Sequence, residues 1–360
     1  MPGWIKGKIR LVPLAAILLV ALVGGYLVET GRIRVRNPYY QEQVQAAELM
    51  FEAMEVLRKL RLEKGIPMAP TLDPNQTALI GDEFTELTTT TGQLDAKRTA
   101  TNPDFAALMV KYFQEAGLGP GDYVAVGASG SFPSLLLATL CAARVLDLEP
   151  IIIYSVGASM YGANIPGFTF IDMLERLRAE GLLPYEIAAV SMGGIQDRAR
   201  GLFQDNTELM LAIMEASGAD IIIEDSLAES IGRRKEIYRE KSGAQGISCF
   251  VNVGGASANF GNTEYSLHLP AGLITEFPYA IDHPERGLLF EYGEAGLPVI
   301  HLLNVRSLAA LNGMPIDPIP LSPPGKSGVY YHQVQPKALI ISLLFLILGS
   351  MVVAVRKSKI

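Results

Sequence analysis

Cysteine and histidine are scarce in this 360-residue chain, at two and four residues. Cys141 and Cys249 both stand in apolar runs, where a buried free thiol is the common outcome, so neither a disulfide framework nor a cysteine-based metal site is expected. His268, His283, His301 and His332 form none of the local ligand pairs that zinc needs. Scattered carboxylates leave Mg²⁺ or Ca²⁺ open, and no cofactor is assigned. Cations are outnumbered, 30 Lys and Arg against 37 Asp and Glu. The shortage is concentrated centrally: residues 37–337 hold 21 Lys and Arg against 36 Asp and Glu, a net charge of −15. Nucleic acids need a cationic surface, so that class of partner is excluded. Also missing are a Gly-x-Gly-x-x-Gly dinucleotide fingerprint and a Walker A Gly-Lys-Ser/Thr.

Long apolar runs are present. Leu11–Val28 and Ala338–Val355 are each eighteen residues without a charge, close to the span of a bilayer core. A cleaved signal peptide is the alternative for the first, but no small-x-small cleavage site follows it. Two spans place both termini on one side, and Lys6, Lys8, Arg10, Arg356, Lys357 and Lys359 mark that side as cytoplasmic. Arg32, Arg34 and Arg36 on the other flank oppose this, but an acidic domain is free to face outward. The expected localisation is the cell membrane, with the central domain extracytoplasmic.

The expected organisation is an anchor and basic collar over 1–36, an amphipathic stalk helix within 37–70, an α/β domain over 71–313, a Pro/Gly-rich linker over 314–337 and a C-terminal membrane helix with a basic tail over 338–360. The stalk helix runs from Tyr40 to Lys64, with Val44, Ala47, Phe51, Met54 and Leu57 as its apolar stripe. From Tyr123 short β-branched runs alternate with helical stretches: Tyr123–Val126, Ile151–Tyr154, Ile187–Val190, Asp220–Glu224, Phe250–Val253 and Val299–Leu303. This alternation implies βαβ units in a mainly parallel, doubly wound sheet flanked by helices, a Rossmann-like α/β fold with a membrane helix at each end.

Four of these runs end in related small-residue phrases: Gly127-Ala128-Ser129, Gly157-Ala158-Ser159, Met192-Gly193-Gly194 and Gly254-Gly255-Ala256-Ser257. Loops after parallel strands leave one edge, where open α/β sheets bind ligands. Ser131 suits a helix N-cap ahead of Pro133, and free amides at a helix start favour an anion. A tight strand-to-helix turn without a ligand accounts for the same residues. Gly127-Ala128-Ser129-Gly130-Ser131 partly matches a nucleophile elbow, with Ser129 as nucleophile, Asp225 as acid and His301 (or His283) as base. Asp225 also suits an N-cap for the helix that follows. Lys97 and Arg98, a basic pair beside a threonine cluster, are placed to receive carboxylates. Arg233, Arg234 and Lys235 read as a solvated helix face. The anion-site residues are therefore Lys97, Arg98, Gly127, Ser129, Gly130, Ser131, Ser159, Gly193, Gly194, Asn252, Gly254 and Gly255.

Gly81-Asp82-Glu83-Phe84-Thr85, Thr88–Gly92, Ala96-Lys97-Arg98-Thr99, Asn102-Pro103, Ser129-Gly130-Ser131-Phe132-Pro133 and Asn252-Val253-Gly254-Gly255 together resemble the poly-γ-glutamate system protein family, over about Ile80 to Val305. The resemblance implies a membrane protein of capsule biogenesis that accompanies the synthesis or export of poly-γ-glutamate. Its implied partners are the synthase or export subunits and the polymer chain end. A polyanion meets an acidic domain at a disadvantage, so contact is expected to be local. The alternatives are a membrane-anchored serine amidohydrolase acting on the γ-glutamyl polymer or cell-wall peptide, and a solute-binding module for a carboxylated ligand.

Overall fold

The structure is a computed structural model, and it describes residues 11–201, 206–278 and 280–357. Lys6, Lys8, Arg10 and Lys359, which entered the expected orientation, lie outside the described residues. The strands are β1 (Ile33–Arg36), β2 (Thr88–Thr90), β3 (Tyr123–Ser129), β4 (Glu149–Ser155), β5 (Ala158–Ser159), β6 (Ile187–Ser191), β7 (Asp220–Ile222), β8 (Ile247–Val253), β9 (Gly272–Ile274), β10 (Val299–Leu302) and β11 (Tyr331–Val334). The helices are α1 (Leu11–Thr30), α2 (Tyr40–Glu63), α3 (Leu94–Ala100), α4 (Asp104–Glu115), α5 (Pro133–Val145), α6 (Phe170–Ala179), α7 (Thr207–Ala216), α8 (Leu227–Ser242), α9 (Ser257–Phe260), α10 (Leu288–Glu294), α11 (Val305–Leu311) and α12 (Lys337–Lys357).

The chain forms two compact units. Among the described residues, the smaller joins residues 11–38 with residues 331–357. In it α1 packs on α12, and β1 pairs antiparallel with β11 from Ile33↔Val334 to Arg36↔Tyr331. The basic collar is therefore a strand, with the Arg34 guanidinium 3.8 Å above the Tyr331 ring. The expectation of two spanning helices is corrected. Among the described residues only α12, over Lys337–Ala354, is long and apolar enough to cross a membrane by length and composition, whereas the N-terminal helix offers the shorter apolar stretch Leu14–Thr30.

The larger unit, Tyr39–Tyr330, is a mixed α/β domain with a mostly parallel central sheet flanked by helices. The sheet order is β7-β6-β4-β3-β8-β10-β9. Every neighbouring pair is parallel except β10 with β9. β3 and β8 are the pair at which the order reverses, and crevices of open α/β sheets form at such points. β9 was not expected: Gly272-Leu273-Ile274 is too short to show a period. β7 ends at Ile222, two residues sooner than the apolar run suggested.

Central strands buried on both faces read as continuous apolar runs, and Val124–Val126, Ile152–Tyr154 and Phe250–Val251 are fully covered. α5 is apolar all round (Leu135, Leu136, Leu137, Leu140 and Ala142 are buried) because it lies beneath α2 and α4. α2 is laid along this helical layer. It buries Ala46, Ala47, Met50, Ala53, Met54, Leu57 and Leu60, while Val44 and Phe51 stay half-buried. The apolar face is thus centred one residue away from the expected stripe, with alanines where helices approach closely.

Candidate functional site

The small-residue phrases do gather at the carboxyl ends of the strands, but they differ from the expected loops. β3 runs through Gly127, Ala128 and Ser129, so these are strand residues paired with Ile153, Tyr154 and Ser155. Ala158–Ser159 forms its own short strand, β5, parallel to β2. The phrases are tied to one another: Gly130 N–H donates to the Ser155 carbonyl at 2.9 Å, Gly157 N–H to Met192 at 2.8 Å, and Gly254 N–H to Leu302 at 3.1 Å. Gly130 is required by close approach, since a β-carbon there would stand 2.8 Å from the Val156 carbonyl oxygen and 2.9 Å from the Ala158 β-carbon. Ser131 does not cap α5. Phe132 holds the cap position with no side-chain bond and Pro133 opens the helix.

Ser131 and Lys97 have another task. The Ser131 Oγ accepts from the Ser159 N–H at 3.0 Å, and the Ser129 Oγ from the Ser131 N–H at 3.4 Å. Lys97, on the short helix α3, reaches this cluster from outside the sheet. Its Nζ donates to the Ser131 carbonyl oxygen and to the Ser159 Oγ, the latter at 2.6 Å, and sits 3.9 Å above the Phe132 ring. Lys97 is 2% exposed and Ser159 5%. Burial pulls the amine down from its ordinary value of 10.5 to about 7. Arg98 parts company with Lys97. Its Nε donates to the Asp317 Oδ1 at 2.8 Å and the two form an ion pair, so its carboxylate is an internal one.

The Ser129–Asp225–His301 arrangement is not assembled. Asp225 follows β7 and His301 lies in β10, five strand spacings apart, roughly 24 Å at about 4.8 Å per spacing. His301 is level with Asn252 and Gly127 across β10, β8 and β3. The Asn252 amide donates to the His301 Nδ1 at 2.9 Å and to the Gly254 carbonyl at 2.8 Å, which places the imidazole proton on Nε2 and leaves the buried Asn252 Oδ1 without a partner. The ring stacks on Phe260 at 5.8 Å. Burial lowers its pKa to about 4, so it is neutral near pH 7 and packed, not poised. His283 sits exposed and accepts from the Glu285 N–H at 3.1 Å. Asp225 is no helix cap either: Ser226 caps α8, accepting from the Glu229 N–H at 3.2 Å.

The feature that sequence reasoning missed is Arg234. It is buried to 1% exposure and not on a solvated face. Its Nη2 pairs with the Asp197 Oδ2 at 2.9 Å and donates to the Ser191 Oγ at 2.7 Å, and its Nη1 donates to the Ser230 Oγ. Asp197 also accepts from the Ser191 Oγ at 2.7 Å, the Ser230 Oγ at 2.7 Å and the Gly193 N–H at 3.1 Å. This network pins the loop after β6 in an uncommon shape, with positive φ at Gly193, Gly194, Gln196, Asp197 and Ala199. Such conformations persist where surrounding structure over-determines them, and they cluster at functional sites.

That loop walls a cavity of about 460 Å³ at the carboxyl edge, lined by Met192, Asp197–Gly201, Thr207 and Ile223–Asp225, a size usual for small-molecule sites. Arg198 and Arg200 are exposed there together with Asp225, and Glu224 is half-buried. The Arg198 Nη1 donates to the Asp225 carbonyl at 2.5 Å. Of the expected anion-site residues, none lines this cavity, although Gly193 and Gly194 belong to the loop that walls it. Among the described residues no three His, Cys, Asp or Glu side chains gather into a metal-holding group, and both thiols are buried and pushed up by burial.

No protein-family model and no curated protein matches the chain. Two solved structures of 2-hydroxyisobutyryl-CoA ligase align with it, one an open conformation with 2-HIB-AMP and CoA and one a postadenylation state. Identities are 14% and 18%, coverage is 61% of this chain in both cases and 44% and 43% of theirs, and both TM-scores are 0.16. The chain spans less than half the length of these ligases, and a likeness of that size carries no argument here.

Proposed function

We propose that the chain is a membrane-attached component of a poly-γ-glutamate system that holds the amino-terminal γ-glutamyl unit of the polymer at the carboxyl edge of a doubly wound sheet. The observation that carries this reading is the mixed charge of the cavity beyond β6 and β7: Arg198 and Arg200 on the same walls as Glu224 and Asp225. A polyanion as a whole is repelled by an acidic domain. The first unit of a γ-linked chain differs from the rest, since it carries a free α-ammonium beside its α-carboxylate. Guanidinium groups suit the carboxylate, and the two carboxylates suit the ammonium. The polymer's remaining units then stay in solvent, which removes the like-charge objection. The doubly wound reading is supported by the reversal of strand order at β3 and β8. Attachment rests on α12, whose last residues Arg356 and Lys357, with Lys359 beyond them in the sequence, favour a cytoplasmic tail and an outward domain. The resemblance of the stretches between Ile80 and Val305 supplies the polymer's identity.

The test uses the full-length protein in detergent with a short γ-glutamyl oligomer. A saturable rise in melting temperature is expected, lost on N-acetylation of the oligomer and in both Arg200→Ala and Glu224→Gln. No rise, or a rise indifferent to acetylation, overturns the reading.

A further inference from the structure

We propose that Ser159 and Lys97 form a nucleophile–base pair that cleaves ester or amide acyl groups. This inference does not rest on the charged cavity or on the polymer, because a different set of residues carries it.

Three observations converge on the pair. First, an amine nine-tenths or more buried normally lies against a carboxylate. Among the described residues Lys97 makes no ion pair, and its polar partners are the Ser131 carbonyl and the Ser159 hydroxyl. Second, the contact between Lys97 and Ser159 has the length that a proton transfer needs. The Nζ donates to the Ser131 carbonyl and lies 2.6 Å from the Ser159 Oγ, within the reach a general base needs, and in its neutral form the amine has a lone pair to take the hydroxyl proton along that contact. The depressed amine pKa agrees with that state. Third, the nucleophile is held. Ser159 lies in the β2–β5 pair, with the Met160 N–H bonded to the Thr90 carbonyl at 3.0 Å and its own N–H bonded to the Ser131 Oγ at 3.0 Å. The hydroxyl-bearing residues Ser159 and Ser131 keep 5% and 8% of their surface, and Lys97 stands behind them at 2%. Lysines that serve as bases are those whose charge is suppressed by burial, and serine–lysine pairs are a recognised variant of the serine–histidine arrangement.

The step balances with water as co-reactant. Neutral Lys97 Nζ takes the Ser159 Oγ proton as Oγ bonds to the acyl carbon. The resulting ammonium returns that proton to the leaving alcohol or amine as its bond to carbon breaks. Water then attacks the acyl-serine, giving its proton to Lys97, which passes it back to the Ser159 Oγ as the carboxylic acid departs.

The test is labelling of the full-length protein in detergent micelles with a fluorophosphonate probe, with the modified residue located by peptide mass spectrometry. The expected result is a single adduct on Ser159. Its rate should rise with pH, level off above a midpoint near 7 as Lys97 loses its proton, and fall about a hundredfold or more in Ser159→Ala and in Lys97→Arg. Ser159→Ala removes one oxygen from a small side chain, so an unchanged melting temperature separates lost chemistry from lost fold. If Lys97→Arg does not fold, the pH profile of the unaltered protein decides. An unlabelled folded protein at pH 9, an adduct on another serine, or a rate flat between pH 6 and 9 overturns the proposal. Oligomer binding at the cavity is read separately by melting temperature, so either reading can fail alone.

Discussion

Two cations are buried beneath the same sheet edge, and they are buried differently. Arg234 meets a carboxylate, three hydroxyls and a carbonyl. Lys97 meets a carbonyl, one hydroxyl and an aromatic face, with no carboxylate among the described residues. An arginine cannot shed its proton at accessible pH, so the fold must supply its counter-charge. A lysine can, so the fold can leave it without one. The first arrangement fixes a loop, and the second leaves a group whose protonation changes near neutral pH.

The largest effect should come from breaking the paired site. Asp197→Ala strands a guanidinium at 1% exposure and is expected to cost about 3–5 kcal/mol, measured by urea unfolding. The double variant Asp197→Ala with Arg234→Met removes both charges and should recover much of that loss. A double variant as unstable as the single one would mean that the loop, not the charge, was being measured.

The unpaired site should respond to pH. The Lys97 amine is lowered in the fold from 10.5 to about 7, so between those values the unfolded chain binds more protons than the native one. Stability therefore rises as pH increases through this window. Between pH 7.5 and 9.5 the gain should be roughly 2 kcal/mol, and it should vanish in Lys97→Met. A gain that persists in Lys97→Met would place the titrating group elsewhere.

His301 offers a smaller effect in the acid range. Its pKa falls from 6.5 unfolded to about 4 folded, so the unfolded state takes up the proton first and stability declines as pH drops from 6.5 toward 4. Roughly 1.5 kcal/mol should be lost between pH 6.5 and 5, and His301→Gln should flatten that limb of the curve.

The contrast between the two cations also shows what a one-dimensional reading can and cannot reach. The alternation beginning at Tyr123 announces β3, β4, β6, β8 and β10, and the spacing from Tyr40 announces α2 to within a residue of Glu63, because those patterns repeat locally. Lys97, Ser131 and Ser159 were visible as a cation and hydroxyls near strand ends. Their meeting was not, since 62 residues separate Lys97 from Ser159. Arg234 was misread for a physical reason: Arg233, Lys235 and Glu236 surround it with the composition of a solvated face, and its burial is decided by Ser155 and Ser191, 79 and 43 residues away. The Ser129–Asp225–His301 order satisfied a motif, but strand order in space then put its acid and base nearly a full sheet apart.

The smallest expected effect sharpens the same comparison within one tripeptide. Arg233 precedes Arg234 and carries the same charge on the same helix, α8, but its side chain is 36% exposed and pairs at 3.2 Å with Glu236, itself 56% exposed. Water already solvates both partners there, and side-chain entropy opposes fixing them. Arg233→Ala should therefore shift the urea midpoint by an amount equivalent to no more than about 0.5 kcal/mol, against several for the disruption around its neighbour. Equal losses at the two positions would show that α8 as a whole, rather than the enclosed pair, sets the cost, and the distinction between a fixed and a titratable cation would lose its structural basis.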